Sequence, residues 1–264
     1  MSPLIEIKGL SKRFDVAGRA QHLALDGIEL SVGEGEFVSL LGPSGCGKST
    51  LLYMLGGFVD PSEGRILVDG KPIAGPGPDR GPVFQEFALF PWKTVLQNVM
   101  YGLRVQKVAV AQARERAGEL LEMVGLTAYA HFYPKQLSGG MRQRVAIART
   151  LAYRPRILLM DEPFGALDAH TRTTLQNELL AIWERDRKTV LFVTHGVDEA
   201  VFLSDRVVVM SGSPGRIAAD ITIDLPRPRV RAQLLTDPRY QQYVLQLEGM
   251  LDQMHGAHGK RKAA

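Results

Sequence analysis

Gly42, Pro43, Ser44, Gly45, Cys46, Gly47, Lys48, Ser49 and Thr50 combine the groups needed to hold a polyphosphate. Their spacing is G-x-x-x-x-G-K-[ST]. The glycines let successive backbone N–H groups turn inward, and Lys48 supplies a point charge for β- and γ-phosphates. The Ser49 hydroxyl is an oxygen ligand suited to Mg²⁺. An apolar run, Phe37–Leu41, precedes the loop and a helical stretch, Ser49–Leu55, follows it. The loop therefore lies where a helix N-terminus adds its positive end. The competing explanation is a glycine-rich turn with a chance Lys-Ser, and the flanking strand and helix weigh against it. Cys46 reads as a small residue the loop tolerates and not as a catalytic one, with the helix N-terminus as an influence able to lower its pKa.

Two further groups have chemistry. Ile157–Met160 is an apolar strand that delivers Asp161 and Glu162 to its C-terminal edge, where ligands bind in open α/β sheets. Asp161 is placed to hold a Mg²⁺ shell and Glu162 to orient and activate a water. A strand ending in acids is weak by itself; beside a phosphate loop it is strong. Ser138, followed by Gly139 and Gly140, is an N-cap that offers a hydroxyl, bare N–H groups and a positive dipole end to an anion. The chain already has one phosphate loop, so the economical role for this second anion site is to complete the site of another copy.

The elements that position these groups alternate between strand and helix, which predicts an α/β fold with a largely parallel sheet. Leu4–Leu10 alternates as a half-buried edge strand, and Ala24–Val32 does the same. Arg65–Val68 is strand-like and closes on Asp69-Gly70, a hairpin signal. From about Thr94 to Leu151 helical periodicity dominates, with Ala113, Ala117, Leu120, Leu121 and Val124 on one face. This suggests a helical insert at about 88–155. Strands at Ile157–Met160 and Thr189–Thr194 flank a helix at Ala169–Arg185, and strands at Arg206–Met210 and Arg216–Ile223 follow. Leu225–Arg229, with two prolines, marks a boundary between a domain at 1–229 and an extension at 230–264. The extension holds a helix at Pro238–Met254 and a polar end expected to be mobile. No internal repeat is visible.

Composition sets outer limits. The 264 residues are 45% hydrophobic and 23% charged, ordinary for a globular chain. One cysteine excludes a disulfide framework or a cysteine-rich zinc site. No apolar run approaches the roughly 20 residues needed to span a bilayer. The N-terminal residues lack the shape of a secretory signal, so a cytosolic location is expected. Net charge is +4, with basic clusters at Arg227, Arg229, Arg231 and Lys260-Arg261-Lys262 that read as solvated. No nucleic-acid partner is expected, because aromatics make up only 7% and the basic surplus is small.

Leu137-Ser138-Gly139-Gly140-Met141, followed by Arg142-Gln143-Arg144-Val145-Ala146, closely resembles the signature of ATP-binding cassette (ABC) ATPases. Taken alone, Phe14 fits a core aromatic, Gln85 a polar strand end and His195 a neutral, hydrogen-bonded histidine. The resemblance, which covers about Leu4 to Arg229, implies other roles. Phe14 matches the adenine-stacking aromatic, Gln85 the Q-loop glutamine that also reaches the metal, and His195 the switch histidine. Asp168 in Gly165-Ala166-Leu167-Asp168 matches the D-loop. Gly165 stands where the family often has serine, and Gly196 where aspartate is commoner; neither change removes a reacting group. The implied fold is a P-loop NTPase (RecA-like) ABC ATPase core with an antiparallel β portion and an inserted α-helical subdomain. The implied cofactors are ATP and Mg²⁺. The implied catalytic set is Glu162, His195, Gln85 and Lys48, the metal ligands being Ser49, Gln85 and Asp161. Two copies paired head-to-tail then enclose two ATP molecules, each touching Ser138 and Gly140 of the opposite copy.

The stretch from Phe84 through Phe90-Pro91-Trp92 to Asn98 is similar to the importer subfamily for nitrate, sulfonate and taurine, as are His195–Arg206 and Pro214–Ile217. That likeness implies an ATPase on the cytoplasmic face of the cell membrane, contacting permease subunits through about Glu86–Tyr101 and working indirectly with a solute-binding protein. Exposed Phe87, Phe90 and Trp92 suit such a socket, core packing being the alternative. The rival readings are a soluble ABC ATPase in DNA repair or translation, an importer subunit for another solute, and a regulatory subunit that does not hydrolyse.

Overall fold

The computed structural model describes residues 3–15, 21–165 and 167–262, with side chains described as far as Met254. In chain order the first elements are β1 (Ile5–Phe14), β2 (His22–Val32), β3 (Phe37–Leu41), α1 (Lys48–Leu55), β4 (Glu63–Val68), β5 (Lys71–Pro72) and β6 (Arg80–Val83). Helices α2 (Val95–Val105), α3 (Val110–Met123) and α4 (Gly139–Ala152) follow, then β7 (Ile157–Asp161) and α5 (Ala169–Asp186). The last elements are β8 (Thr189–Thr194), α6 (Val197–Leu203), β9 (Arg206–Met210), β10 (Ile217–Thr222), α7 (Arg231–Leu234) and α8 (Pro238–Lys262). The fold is α/β, and the chain divides into two compact units, residues 1–77 with 187–264, and residues 78–186.

In the first unit, β1 lies between β2 and β4, antiparallel to both. The expectation of an edge strand is therefore corrected. An antiparallel sheet with one solvated face gives the same alternation in a central strand as at an edge. Bulges between Ile7 and Arg13 break the two-residue period, so the pattern fades at Leu10 although the strand runs to Phe14. β3, β8 and β9 form a parallel set, with β10 antiparallel beside β9. All residues of β3 and β8 are buried, the continuous apolar signature of strands covered on both faces. Phe37 and Phe192 meet at 5.8 Å between ring centroids, and each fully buried ring stabilises the core by about 1.5–3 kcal/mol.

The C-terminal segment of this unit corrects two expectations. Helix α8 continues to Lys262, past the Met254 expected from sequence. Arg227, Arg229 and Arg231 are not solvated charges. Arg229 is 6% exposed, and its guanidinium donates to the carbonyls of Val201, Phe202 and Ser204 at 3.0, 3.0 and 2.8 Å. Arg227 donates to Leu203 O at 2.8 Å and pairs with Asp205, and Arg231 lies 4.0 Å from the Phe202 ring centroid. These carbonyls are the unsatisfied C-terminal end of α6, which explains why cations are buried there.

In the second unit, β6 and β7 are parallel, and α2, α3 and α4 pack on one another. The apolar face of α3 is as read: Ala113, Ala117, Leu120, Leu121 and Val124 are all buried. Thr94 and Gln97 make a reciprocal capping box at the start of α2, and Ser138 caps α4 by accepting from Met141 N at 3.3 Å.

Candidate active site

The first unit carries the phosphate loop and His195 on one sheet edge. Leu41 of β3 is in register with Thr194 of β8, so Gly42 and His195 are the next residues along neighbouring parallel strands. Both leave at the C-terminal end, the edge at which such sheets bind ligands. Lys48 is buried, and its ammonium donates to Gly42 O at 2.8 Å and Pro43 O at 3.0 Å. The charge is thus held within the loop by the loop's own carbonyls.

Two glycines set the height of that loop. Gly47 has φ +94, and a Cβ there would lie 2.5 Å from the Leu25 side chain. Gly215, in the turn before β10, sits under the loop: a Cβ would fall 2.0 Å from Cys46 O. Its own N–H and carbonyl are fixed to Ala24 O at 2.9 Å and Asp26 N at 3.0 Å. Sequence reasoning used Gly215 only as part of a subfamily stretch and missed this support. Cys46 is buried, and burial pushes its thiol above the ordinary 9.0, outweighing the lowering by Lys48. The expected lowered pKa is corrected, because desolvation of a thiolate costs more than one nearby cation returns.

His195 is exposed, and the turn around it is tied closely. Gly196 N donates to Thr194 Oγ1 at 2.9 Å, and Thr194 Oγ1 donates to Glu199. Asp198 and Glu199 place negative charge in the first turn of α6. Phe14 ends β1 at 38% exposed, with the Lys12 ammonium 5.1 Å from its ring centroid; it lies outside the core.

The second unit places Gln85 and Asp161 by the same device. Val83 of β6 is in register with Met160 of β7, and Asp161 and Gln85 follow within two residues. Asp161 is 2% exposed. Glu162 is half-buried and held at φ +42, a left-handed conformation that non-glycine residues adopt at a cost of about 1–3 kcal/mol. The donors assigned to Mg²⁺, a Ser49 hydroxyl, a Gln85 amide oxygen and the Asp161 carboxylate, are all hard oxygens. Each is a ligand type that fits Mg²⁺, Ser49 in the first unit and Gln85 and Asp161 in the second.

At the start of α4, Ser138 is exposed, Gly139 half-exposed, and Gly140 buried against the Thr171 methyl of α5. Asp168 is exposed and accepts from Thr171 N at 3.0 Å, which holds its carboxyl below the usual carboxylate range. Ala166 of the expected D-loop lies outside the described residues.

The segment after Gln85 is anchored by two residues that sequence reasoning did not assign. Asn98, fully buried, accepts from Phe90 N at 2.9 Å and donates to Phe90, Lys93 and Thr94 carbonyls. Arg149 donates to Ala88 O at 2.5 Å and Phe87 O at 3.1 Å, both residues having positive φ. A polar residue on the apolar face of α2 was the available signal for Asn98. Of the three aromatics expected to be exposed, only Trp92 is so, at 70%. Phe87 and Phe90 are half-buried, Phe90 packing at 4.4 Å on Tyr101 and 5.8 Å on Trp92.

A family description, ABC transporter, matches residues 25–165, from β2 through the loop after Glu162. The chain belongs to the ABC transporter family. An uncharacterized ABC transporter ATP-binding protein of Methanocaldococcus jannaschii is 54% identical over 234 residues, 89% of this chain and 87% of the relative. A nitrate import ATP-binding protein of Synechococcus elongatus is 48% identical, covering 85% of this chain and 83% of the relative. A bicarbonate transport ATP-binding protein of the same species is 47% identical over 91% of this chain, which spans 37% of that longer relative. Among solved structures, a dimeric ATP-binding cassette in a post-hydrolysis state bound to ADP and Pi has a TM-score of 0.76 and 35% identity, over 84% of this chain and 100% of that one. The fold is therefore the P-loop ABC ATPase cassette, and this ABC protein is an ATP-binding subunit that hydrolyses ATP. No helix among the described residues is long and apolar enough to cross a membrane.

Proposed function

We propose that this ABC protein powers an importer for a small anionic solute of the nitrate, aliphatic sulfonate or taurine type. The observation that carries the reading is the 48% identity, over 85% of this chain and 83% of the relative, to a nitrate import ATP-binding protein. The bicarbonate relative, whose named solute is also a small inorganic anion, supports the same class. In this reading residues 1–229 are the ATP-binding domain, with a helical subdomain at about 88–155, and 230–264 are an extension. The subunit sits on the cytoplasmic face of the membrane, with Trp92, Tyr101 and the segment Glu86–Tyr101 against permease subunits. A solute-binding protein delivers the anion.

The proposed chemistry assigns one task to each side chain. Lys48 and the loop 42–50 hold the β- and γ-phosphates, and Phe14 stacks on adenine. Ser49, Gln85 and Asp161 hold Mg²⁺, which when bound neutralises charge on the phosphate oxygens. Glu162 orients a water for in-line attack on the γ-phosphorus and accepts its proton as the bond to the β-phosphate oxygen breaks. His195 holds the γ-phosphate. Ser138, Gly139 and Gly140 of a second copy, paired head-to-tail, close over the same phosphate, with Asp168 at the seam. The cassette with ADP and Pi is dimeric, which supports this pairing. Loss of the γ-phosphate removes the bridge and opens the pair, so that hydrolysis becomes motion.

The test is ATP turnover by the subunit assembled with its permease in vesicles, with the solute-binding protein and nitrate, taurine, an alkanesulfonate or bicarbonate supplied in turn. Stimulation by one of the first three is expected. Stimulation by a cation, a sugar or a peptide instead, or none by any anion, contradicts the proposed solute class.

A further inference from the structure

The segment from Arg229 onward carries no motif, yet it grips one helix at both ends. At the C-terminal end of α6, Arg229 donates to Val201, Phe202 and Ser204 carbonyls, and the Arg231 guanidinium covers Phe202. At the N-terminal end, Tyr240 of α8 reaches Asp198, its hydroxyl 3.3 Å from the backbone O and 3.2 Å from Oδ1. Tyr240 is 3% exposed and Leu247, about two turns along the same face of α8, is fully buried. The contact is thus part of a packed interface between α8 and α6.

Asp198 lies three residues beyond His195, in the first turn of α6. Between them, Gly196 is the N-cap without a side chain to cap the helix. A helix start with no cap of its own is set by what else holds its first turn. Among the contacts that do so, an inner one runs through Thr194 and Glu199, and an outer one is Tyr240. Burial, together with the Asp198 carboxylate, pushes the Tyr240 phenol far above its ordinary value, so it stays a donor at any working pH.

We propose that Tyr240 is a positioning residue for ATP hydrolysis, holding the first turn of α6 and through it the His195 side chain that faces the γ-phosphate. The inference rests on the role proposed above for His195. The C-terminal extension then acts on turnover while touching no nucleotide.

The experiment is a double-mutant cycle on ATP turnover by the full chain, in the permease complex, using Tyr240→Phe, His195→Ala and both. Tyr240→Phe deletes one hydroxyl and keeps the ring that fills the α8–α6 interface. It is expected to lower kcat about fivefold, the effect of one hydrogen bond, with KM for ATP unchanged. In the His195→Ala background it is expected to have no further effect. Asp198→Ala, at an exposed position, removes the carboxylate end of the same tie and should lower kcat in the same direction. An equal further loss in the His195→Ala background, or a rise in KM with kcat unchanged, overturns the proposal. So does unaltered turnover in both Tyr240→Phe and Asp198→Ala. If His195→Ala itself keeps full turnover, the role of His195 fails and the proposal fails with it. If His195→Ala is inactive while Tyr240→Phe is normal, only the proposal for Tyr240 fails.

Discussion

Replacing Gly215 by alanine puts a methyl carbon 2.0 Å from Cys46 O and 3.0 Å from Leu25 Cδ2. An ordinary carbon–oxygen approach begins at about 3.3 Å, so the Cys46 carbonyl must retreat by roughly 1.3 Å, unless Gly215 retreats instead. Gly215 has little freedom to do so, because its N–H and carbonyl are bonded to Ala24 and Asp26 across the isolated bridge to β2. The displacement is therefore delivered to the phosphate loop at the peptide leading into Gly47 and Lys48. Overpacking of this kind costs about 1–3 kcal/mol of stability. A misplacement near 1 Å in a positioned site costs up to about 100-fold in function. Isothermal titration with ATP and Mg²⁺, beside urea unfolding, reads both. A Kd raised at least about tenfold with a lower unfolding midpoint is expected. Gly118→Ala is the control: that glycine is within α3, has nothing near its Cβ position, and should gain about 0.5–1 kcal/mol in stability with ATP binding unchanged. A Gly215→Ala protein that binds ATP within twofold of wild type refutes the claim that this turn supports the loop.

Three other outcomes follow from buried polar groups. Arg229→Met leaves the carbonyls of Val201, Phe202 and the C-cap Ser204 without this donor and should destabilise the protein by about 2–4 kcal/mol in urea unfolding; a loss below about 0.5 kcal/mol contradicts the capping role. Asn98→Ala strips the segment from Phe90 to Thr94 of its anchor and should cost about 2–3 kcal/mol, with a shift in the fluorescence of exposed Trp92. Burial pushes the Tyr153 phenol from 10.0 up to about 12, and Tyr240 is raised as well. A raised folded pKa stabilises fully below the unfolded value, so stability is retained to pH 10 and lost as pH rises from 10 through 12. Spectrophotometric titration at the phenolate band should show both tyrosines ionising only with unfolding; ionisation of all tyrosines near pH 10 in folded protein contradicts this.

The proposed reacting groups stood out in the sequence because such chemistry fixes residue type. The loop 42–50, the acids after β7 and the capped start of α4 each need particular side chains or glycines at fixed spacing, and the elements around them are where the pattern put them. Supports were harder to read, because what they touch is distant in sequence. Gly215 matters through Cys46, and Arg229 through α6 carbonyls about 25 residues upstream; no local period encodes either contact. Charge alone misled for Arg227, Arg229 and Arg231, since a buried guanidinium at a helix C-terminus has the same composition as a solvated one. The edge reading of β1 failed because alternation reports one wet face, not the number of neighbouring strands.

In the proposed head-to-tail pairing each copy supplies only part of the site at which its partner's ATP is hydrolysed. The most direct measurement of that pairing is the solution mass of Glu162→Gln, which should bind ATP without turning it over, compared with Glu162→Gln carrying Ser138→Arg. With ATP the first is expected at twice the 29.1 kDa chain mass, and the second at the single-chain mass with ATP still bound. A Ser138→Arg protein that pairs as well as its parent, or a single chain that turns ATP over unaided, contradicts the account.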